Sequence, residues 1–227
     1  MANKGNNRHM KSINAPRYLG VHKKETAYVM MAAPGRHSAA MSIPLALFIK
    51  KEKIADTTRD AEIVIKNGNI QVNGIIVKDP KYPVGINDII YIKKADTGYK
   101  VSIDRNSKVV LEKLKSNVNN TTFKVIRKYI SKKGKTFIGL HDGSILESDK
   151  KVKVNDSIVI DFNKKIIEVL PFKNGSKCFV YSGVHVGSNG KITDIIDGNM
   201  HMPKVIVLEN SNGETFKTIV DNVMVVN

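Results

Sequence analysis

Tryptophan is absent from this chain of 227 residues, cysteine occurs once, and the aromatic residues Phe, Trp and Tyr amount to only 6%. A lone cysteine, Cys178, excludes an intrachain disulfide framework and fits a reducing compartment. It stands between Lys177 and Phe179 in an apolar strand pattern, the setting of a buried, inert thiol rather than a nucleophile. Long apolar runs are missing as well: none approaches the roughly 18 residues a membrane span needs, and no basic amphipathic helix is visible that would lie on a membrane surface. The opening Met1-Ala2-Asn3-Lys4-Gly5 lacks the apolar core of a secretory signal, so the cytoplasm is the expected compartment. Acid is scarce too. Asp and Glu number 21 against 37 Lys and Arg, a formal net charge of +16. Such a surplus attracts polyanions at long range, and nucleic acid is the expected partner.

The length allows one large core or two to three small ones. Short strands and turns recur throughout without a long helical pattern, which favours several small units in a predominantly β, α+β chain. The charge divides the chain further. Residues 1–41 carry seven Lys/Arg and one acid, 42–95 nine and six, 96–172 sixteen and nine, and 173–227 five and five, so the last segment is neutral. These four segments are the expected arm and domains.

The first segment holds Lys4, Arg8, His9, Lys11, Arg17, His22, Lys23, Lys24, Arg36 and His37, interrupted by Pro16, Pro34, Gly5, Gly20 and Gly35. No periodic apolar face is evident, so alone it should be extended and mobile, with its cations able to thread along a polyanion. A merely solubilising tail would read the same way. Its histidines lack Cys or carboxylate partners at zinc spacing, which makes phosphate or base contact the expectation and metal none.

Residues 42–95 read as two short helices followed by a β-turn-β unit. Leu45, Phe48 and Ile49 share one helix face, with Lys50, Lys51 and Lys53 crowding the far end. The second helix starts at Thr57, a capping residue with Asp60 three positions on, and stops at Asn67-Gly68. At 100° per residue, Arg59 and Lys66 fall side by side opposite Ala61, Val64 and Ile65, facing solvent. Ile70 to Val72 alternates into Asn73-Gly74, a strong hairpin signal, with a return strand from Ile75 to Val77 and another strand from Ile89 to Ile92.

Residues 96–172 contain short β patterns at Tyr99–Ile103, Lys108–Leu111, Phe123–Tyr129, Thr136–Leu140, Ser157–Asp161 and Ile166–Val169, spaced as a small antiparallel barrel or sandwich. Arg127-Lys128 and Lys132-Lys133-Lys135 sit on or beside one hairpin. They can contact RNA or simply guard a strand edge. Residues 173–227 give a strand at Lys177, a loop with Gly183, Gly187 and Gly190, and strands from Ile192, Val205, Phe216 and Met224, a five-stranded barrel.

The helix, capped Arg-bearing helix, Asn-Gly and Val72-Asn73-Gly74 series, ending in Val84 to Asp88 before a β-branched strand, resembles the S-four RNA-binding domain. That resemblance implies that the second helix and following loop, with Arg59, Lys66, Asn67, Asn69, Gln71 and Asn73, hold phosphates of structured RNA. The strand-loop-strand from Lys177 to Ile192 is similar to the KOW motif of SH3-like barrels, pointing to His185 and Lys191. Val184 and Val186 depart from that pattern, and a neutral module can grip through its backbone or face protein. A fuller resemblance spans the chain: Arg8 to Pro16, Pro34-Gly35-Arg36-His37, Ser42 to Leu45, Asp79 to Gly85, Leu140-His141-Asp142-Gly143, Asn155-Asp156-Ser157 and Asp221 to Val225 resemble the archaeal and eukaryotic small-subunit ribosomal protein family "S four e". It implies a basic arm, an S-four domain, a central β domain and a C-terminal KOW module. The implied function is a structural constituent of the small subunit that binds ribosomal RNA beside neighbouring ribosomal proteins and supports assembly and translation.

S-four domains also occur on RNA-modifying enzymes, and Asp104-Arg105 is the nearest approach to a catalytic aspartate. The chain has no second large domain to build a pocket around it, and no Walker loop, Gly-x-Ser-x-Gly, His-Glu-x-x-His or CxxC pair. No enzyme activity, cofactor or small-molecule substrate is expected. The alternative is a transcription or RNA-processing adaptor, holding RNA through the S-four part and protein through the KOW part.

Overall fold

The computed structural model describes residues 9–38, 41–114, 120–132, 134–148, 151–210 and 212–226. Three five-stranded antiparallel sheets follow one another along the chain, each over its own apolar core, and two helices pack on the first.

Residues 9–38 of the N-terminal segment do not form an extended arm. Strand β1 (Met10–Lys11) pairs with β2 (Tyr28–Val29), and two 3-10 turns, Ser12–Asn14 and Arg17–Leu19, lie between them. Ala15, Leu19 and Val29 are buried in the first core, with Met10, Tyr18, Val21 and Met30 packed around them. Their irregular spacing hides them from any periodicity search, because they reach the core from turns rather than from one helix or strand face. Strand β3 (Ile43–Pro44) pairs with β6 (Pro83–Val84) and leads into α1 (Leu45–Lys51). Leu45, Ala46, Phe48 and Ile49 of α1 are buried, together with Ala61 and Ile65 of α2 (Thr58–Lys66).

The first sheet has the order β5-β4-β7-β8-β9, from β4 (Ile70–Val72), β5 (Ile75–Ile76), β7 (Ile89–Ile92), β8 (Thr97–Ile103) and β9 (Val109–Leu114). Strands β8 and β9 therefore belong with the helical unit and not with the central β segment, where the sequence grouped them. Their Tyr99, Val101, Ile103 and Val109 complete the helical unit's core. Asn73 and Gly74 take φ of 49° and 80° in the hairpin turn, the left-handed pair an Asn-Gly turn requires.

The central sheet, order β12-β11-β10-β13-β14, is built on the long strand β10 (Asn120–Ile130). A bulge between Val125 and Arg127 divides it: the first half pairs with β13 (Ser157–Asp161), itself paired to β14 (Ile166–Leu170), and the second with β11 (Thr136–Leu140). Strand β12 (Ile145–Glu147), too short to register in the sequence, borders β11. The last sheet, order β18-β17-β16-β15-β19, comprises β15 (Lys177–Val180), β16 (Asn189–Ile196), β17 (Val205–Glu209), β18 (Thr215–Ile219) and β19 (Val223–Val225). Cys178 is buried there, and burial pushes its thiol up to about 12. The glycine-bearing loop before β16 makes its close approach within the chain: a Cβ on Gly187 would lie 2.6 Å from the Arg105 backbone nitrogen, and Val186 enters the first core. The Asp104 carboxylate accepts the backbone N–H of Arg105 at 2.7 Å and the Asn106 amide at 3.3 Å, the arrangement of a turn. Among the described residues, no helix is long and apolar enough to cross a membrane.

Candidate nucleic-acid interface

Helix α2 is placed by its cap and its two buried residues. Thr57 Oγ1 accepts the Asp60 N–H at 3.1 Å, and Gly68 at φ 72° turns the chain out of the helix. With Ala61 and Ile65 held inward, Arg59 and Lys66 are both exposed on the outer side, Lys66 3.5 Å from Glu62 one turn back. Asn67 is exposed and Gln71 half-buried. Asn69 turns its amide to the Val64 carbonyl at 3.4 Å. Lys78, which sequence reasoning overlooked, lies across the same end: a Cβ on Gly68 would meet its Cε at 3.7 Å. Only the return of the chain past β5 brings it there. On the N-terminal segment, His9, Lys11, Arg17, His22, Lys23 and Lys24 are exposed. Lys50 is half-buried, and Lys51 turns its ammonium to the Val109 carbonyl, with burial lowering its pKa. Lys4, Arg8 and Lys133 lie outside the described residues.

Three of the expected contacts point inward instead. His37 is 7% exposed, with Nε2 2.8 Å from Asp88 Oδ2. Asn73 is 8% exposed and donates to Asp88 Oδ1 at 2.7 Å, while its own Oδ1 accepts the Ile89 N–H at 2.9 Å. Asp88 also accepts the Gly85 N–H at 2.9 Å. Arg36 pairs with the buried Asp142, which Ser144 holds through two further hydrogen bonds of 2.7 and 3.0 Å. Residue type suggested phosphate contacts at these positions. Burial and acidic partners distant in sequence make His37 and Asn73 parts of the fold, and leave Arg36 only partly open.

The electrostatics follow. Burial works against the His37 charge, but Asp88 outweighs it and raises the pKa. Burial also opposes ionisation of Asp88, and His37 with the hydrogen bonds from Gly85 and Asn73 holds it below the usual carboxylate range. His141, its ring 6.1 Å from His37, is driven down to about 4 by burial and by that neighbouring charge; its Nδ1 accepts the Lys124 backbone N–H at 3.2 Å.

On the central sheet, Arg127 and Lys132 are exposed, Lys128 donates to the Val152 carbonyl at 3.0 Å, and Lys135 pairs with Glu147 at 2.6 Å. In the last sheet, His185 lies exposed against the Phe216 ring at 4.6 Å, and Lys191 is exposed on β16 between Lys177 and Glu209. Outward cations thus occur on every unit, but most densely on the first two.

Residues 43–90 match the S4 domain and residues 95–167 match the ribosomal family S4e. The small ribosomal subunit protein eS4 of Methanothermobacter thermautotrophicus is 32% identical, over all of this chain and 95% of its own length. The chain belongs to the eS4 family. The eS4 protein of Nanoarchaeum equitans is 31% identical over 96% of this chain and 94% of its own. The crystal structure of the 30S ribosomal protein S4e from Thermoplasma acidophilum superposes with a TM-score of 0.70 at 28% identity, covering 82% of this chain and 95% of that one. This eS4-family chain is mostly β, with its S4 match falling on α1, α2 and the strands that follow them.

Proposed function

We propose that this chain is a structural constituent of the small ribosomal subunit, located in cytoplasmic ribosomes, which binds folded ribosomal RNA and carries out no catalysis. The observation that carries the reading is the outer side of α2 and its following loop. Arg59, Lys66 and Asn67 are exposed together, Lys78 lies across the loop, and the opposite helix face is fixed in the core. A-form RNA hides its major groove, so such a face meets phosphates and 2′-hydroxyls and reads shape rather than base sequence. Lys11, Arg17, Lys23 and Lys24 extend the same contact along the N-terminal segment.

The test is filter binding of the purified chain to small-subunit ribosomal RNA across a salt series. Wild-type affinity should fall steeply as counterions are taken back up by the RNA, and Arg59→Glu with Lys66→Glu should lower the slope by about 2, one per lost phosphate contact. An unchanged slope and affinity would assign the gripping face elsewhere. A second reading, the RNA-processing adaptor, is favoured by the charge-neutral C-terminal unit with Val184, Met200 and Met202 exposed at 94%, 99% and 70%. Copy number separates the two: a constituent is present once per small subunit, and an adaptor well below that.

A further inference from the structure

The central sheet carries a surface feature that counterion release alone does not explain. Tyr129 on β10 and Phe137 on β11 are direct cross-strand partners, their rings 5.6 Å apart at 17°, nearly parallel. The next partner in that row is Glu147 on β12. One pair along, Arg127, Gly139 and Ile145 form a second row on the same face. The buried Ile138 lies on the other face, so both rows look away from the core. Tyr129 is 44% exposed and Ile145 58%. Gly139 leaves a low point between Arg127 and Ile145, where a Cβ would already stand 3.5 Å from Arg127 Cβ.

We propose that this face is a stacking platform for an unpaired nucleobase of RNA. The Tyr129 ring, stacked on Phe137 and 44% exposed, supplies a π-surface that any base can cover. Exposed Arg127 and Lys132 stand at the border to take the flanking phosphates, and the Gly139 depression gives a base edge room to settle. A base on an aromatic ring with a cation beside it is the general arrangement of single-strand recognition. Charge decides between RNA and a protein partner. The one acid in the two rows, Glu147, is held by Lys135 at 2.6 Å, and no described acid pairs with Arg127 or Lys132. The local field is therefore positive around an apolar centre.

The inference rests on the RNA-binding reading above but uses a different surface and a different force, so the two can fail separately. Fluorescein-labelled oligouridine is titrated into the full chain and followed by anisotropy, for wild type, Tyr129→Ala, Tyr129→Phe and the Arg59→Glu/Lys66→Glu variant. Loss of one stacking contact should weaken binding about tenfold in Tyr129→Ala while leaving the salt slope unchanged. Tyr129→Phe keeps the ring and should bind like wild type. Photocrosslinking of 4-thiouridine-substituted oligomer should label Tyr129 or Phe137. Circular dichroism and the thermal midpoint show that each variant is folded. Should Tyr129→Ala prove misfolded, the crosslink position in the wild-type chain decides. Unchanged affinity in folded Tyr129→Ala, or crosslinks confined to α2 and the N-terminal segment, overturns the platform and leaves the α2 reading intact. A platform covered by another protein gives the same negative result. Failure of the wild type to bind any RNA overturns both.

Discussion

Removing the Asp88 carboxylate should cost more than any other single change at the polar junction of this fold. Asp88 is 1% exposed, accepts hydrogen bonds from Asn73 Nδ2 at 2.7 Å and the Gly85 N–H at 2.9 Å, and lies 2.8 Å from His37 Nε2 as its ion-pair partner. One side chain thereby fixes the end of the N-terminal segment, the hairpin turn and the turn into β7. Asp88→Ala strands a buried imidazolium and two uncharged donors. Breaking a buried pair from one side costs about 3–5 kcal/mol, against a total stability of about 5–15 kcal/mol for a typical domain. Asp88→Asn keeps the shape and one acceptor but not the charge, so it should cost less and drop the His37 pKa below its ordinary 6.5, because burial and the Arg36 charge then face only the weaker pull of Asp142. Urea denaturation gives the first quantity and NMR titration of the histidine ring protons the second. The pH dependence has a determined sign. Asp88, with its folded pKa below 3.8, stabilises above the ordinary carboxylate value and loses that contribution as pH falls through the folded value. His37, raised above 6.5, stabilises fully below that value and loses its contribution as pH rises through the folded one. The pair is therefore strongest between those limits. A cost under about 1 kcal/mol for Asp88→Ala, with His37 still titrating above its ordinary value in Asp88→Asn, would refute the reasoning.

Two further changes test the packing between units. Lys124 is 2% exposed, donates to the Val220 carbonyl at 2.6 Å, and burial lowers its pKa to about 8. The unfolded chain then binds the extra proton above that pH, so wild type should gain about 1 kcal/mol relative to Lys124→Met between pH 8 and 9; parallel urea midpoints for the two proteins across that interval would contradict this. Gly74 has φ 80°, and a Cβ there would stand 2.9 Å from Phe162 Cβ. Gly74→Ala should lose about 1–3 kcal/mol through backbone strain and collision, and Phe162→Gly, which removes the Cβ as well as the ring, should in that background recover the collision but not the strain, read from a double-mutant cycle of urea midpoints.

How much of this was legible beforehand depended on the range of the interaction. The α1 face of Leu45, Phe48 and Ile49, the Thr57 cap and the Asn73-Gly74 turn are set by residues within one or two turns of one another, and each appears where the periodicity put it. The hairpin of β8 and β9 was also visible, but nothing local says which sheet a hairpin joins, and tertiary pairing with β7 decided it. Burial of Ala15, Leu19 and Val29 arises from turns docking on a distant core, which carries no period. At the candidate interface, the exposure of Arg59 and Lys66 followed from helix geometry, whereas His37 and Lys124 were indistinguishable in sequence from the solvated cations around them. What sets them apart is Asp88 and the Val220 carbonyl, both far along the chain.

The inward cations bear on recognition as well as on stability. Besides the Arg36–Asp142 pair, Asn87 donates to the Thr122 carbonyl at 3.0 Å and touches Met224 Sδ at 3.4 Å, Lys124 reaches Val220, and the Val225 N–H donates to Ser157 Oγ at 3.0 Å. All three sheets are therefore joined by directional bonds, which have one good geometry, rather than by apolar contact alone, which tolerates sliding. A prefolded RNA presents phosphates at fixed spacings. A protein whose cationic faces are already held at matching spacings loses less freedom on binding than one whose units move independently. Loosening the junction should thus weaken binding to structured ribosomal RNA without touching a single outward-facing lysine, while a short flexible oligonucleotide, which meets only one unit at a time, should notice little.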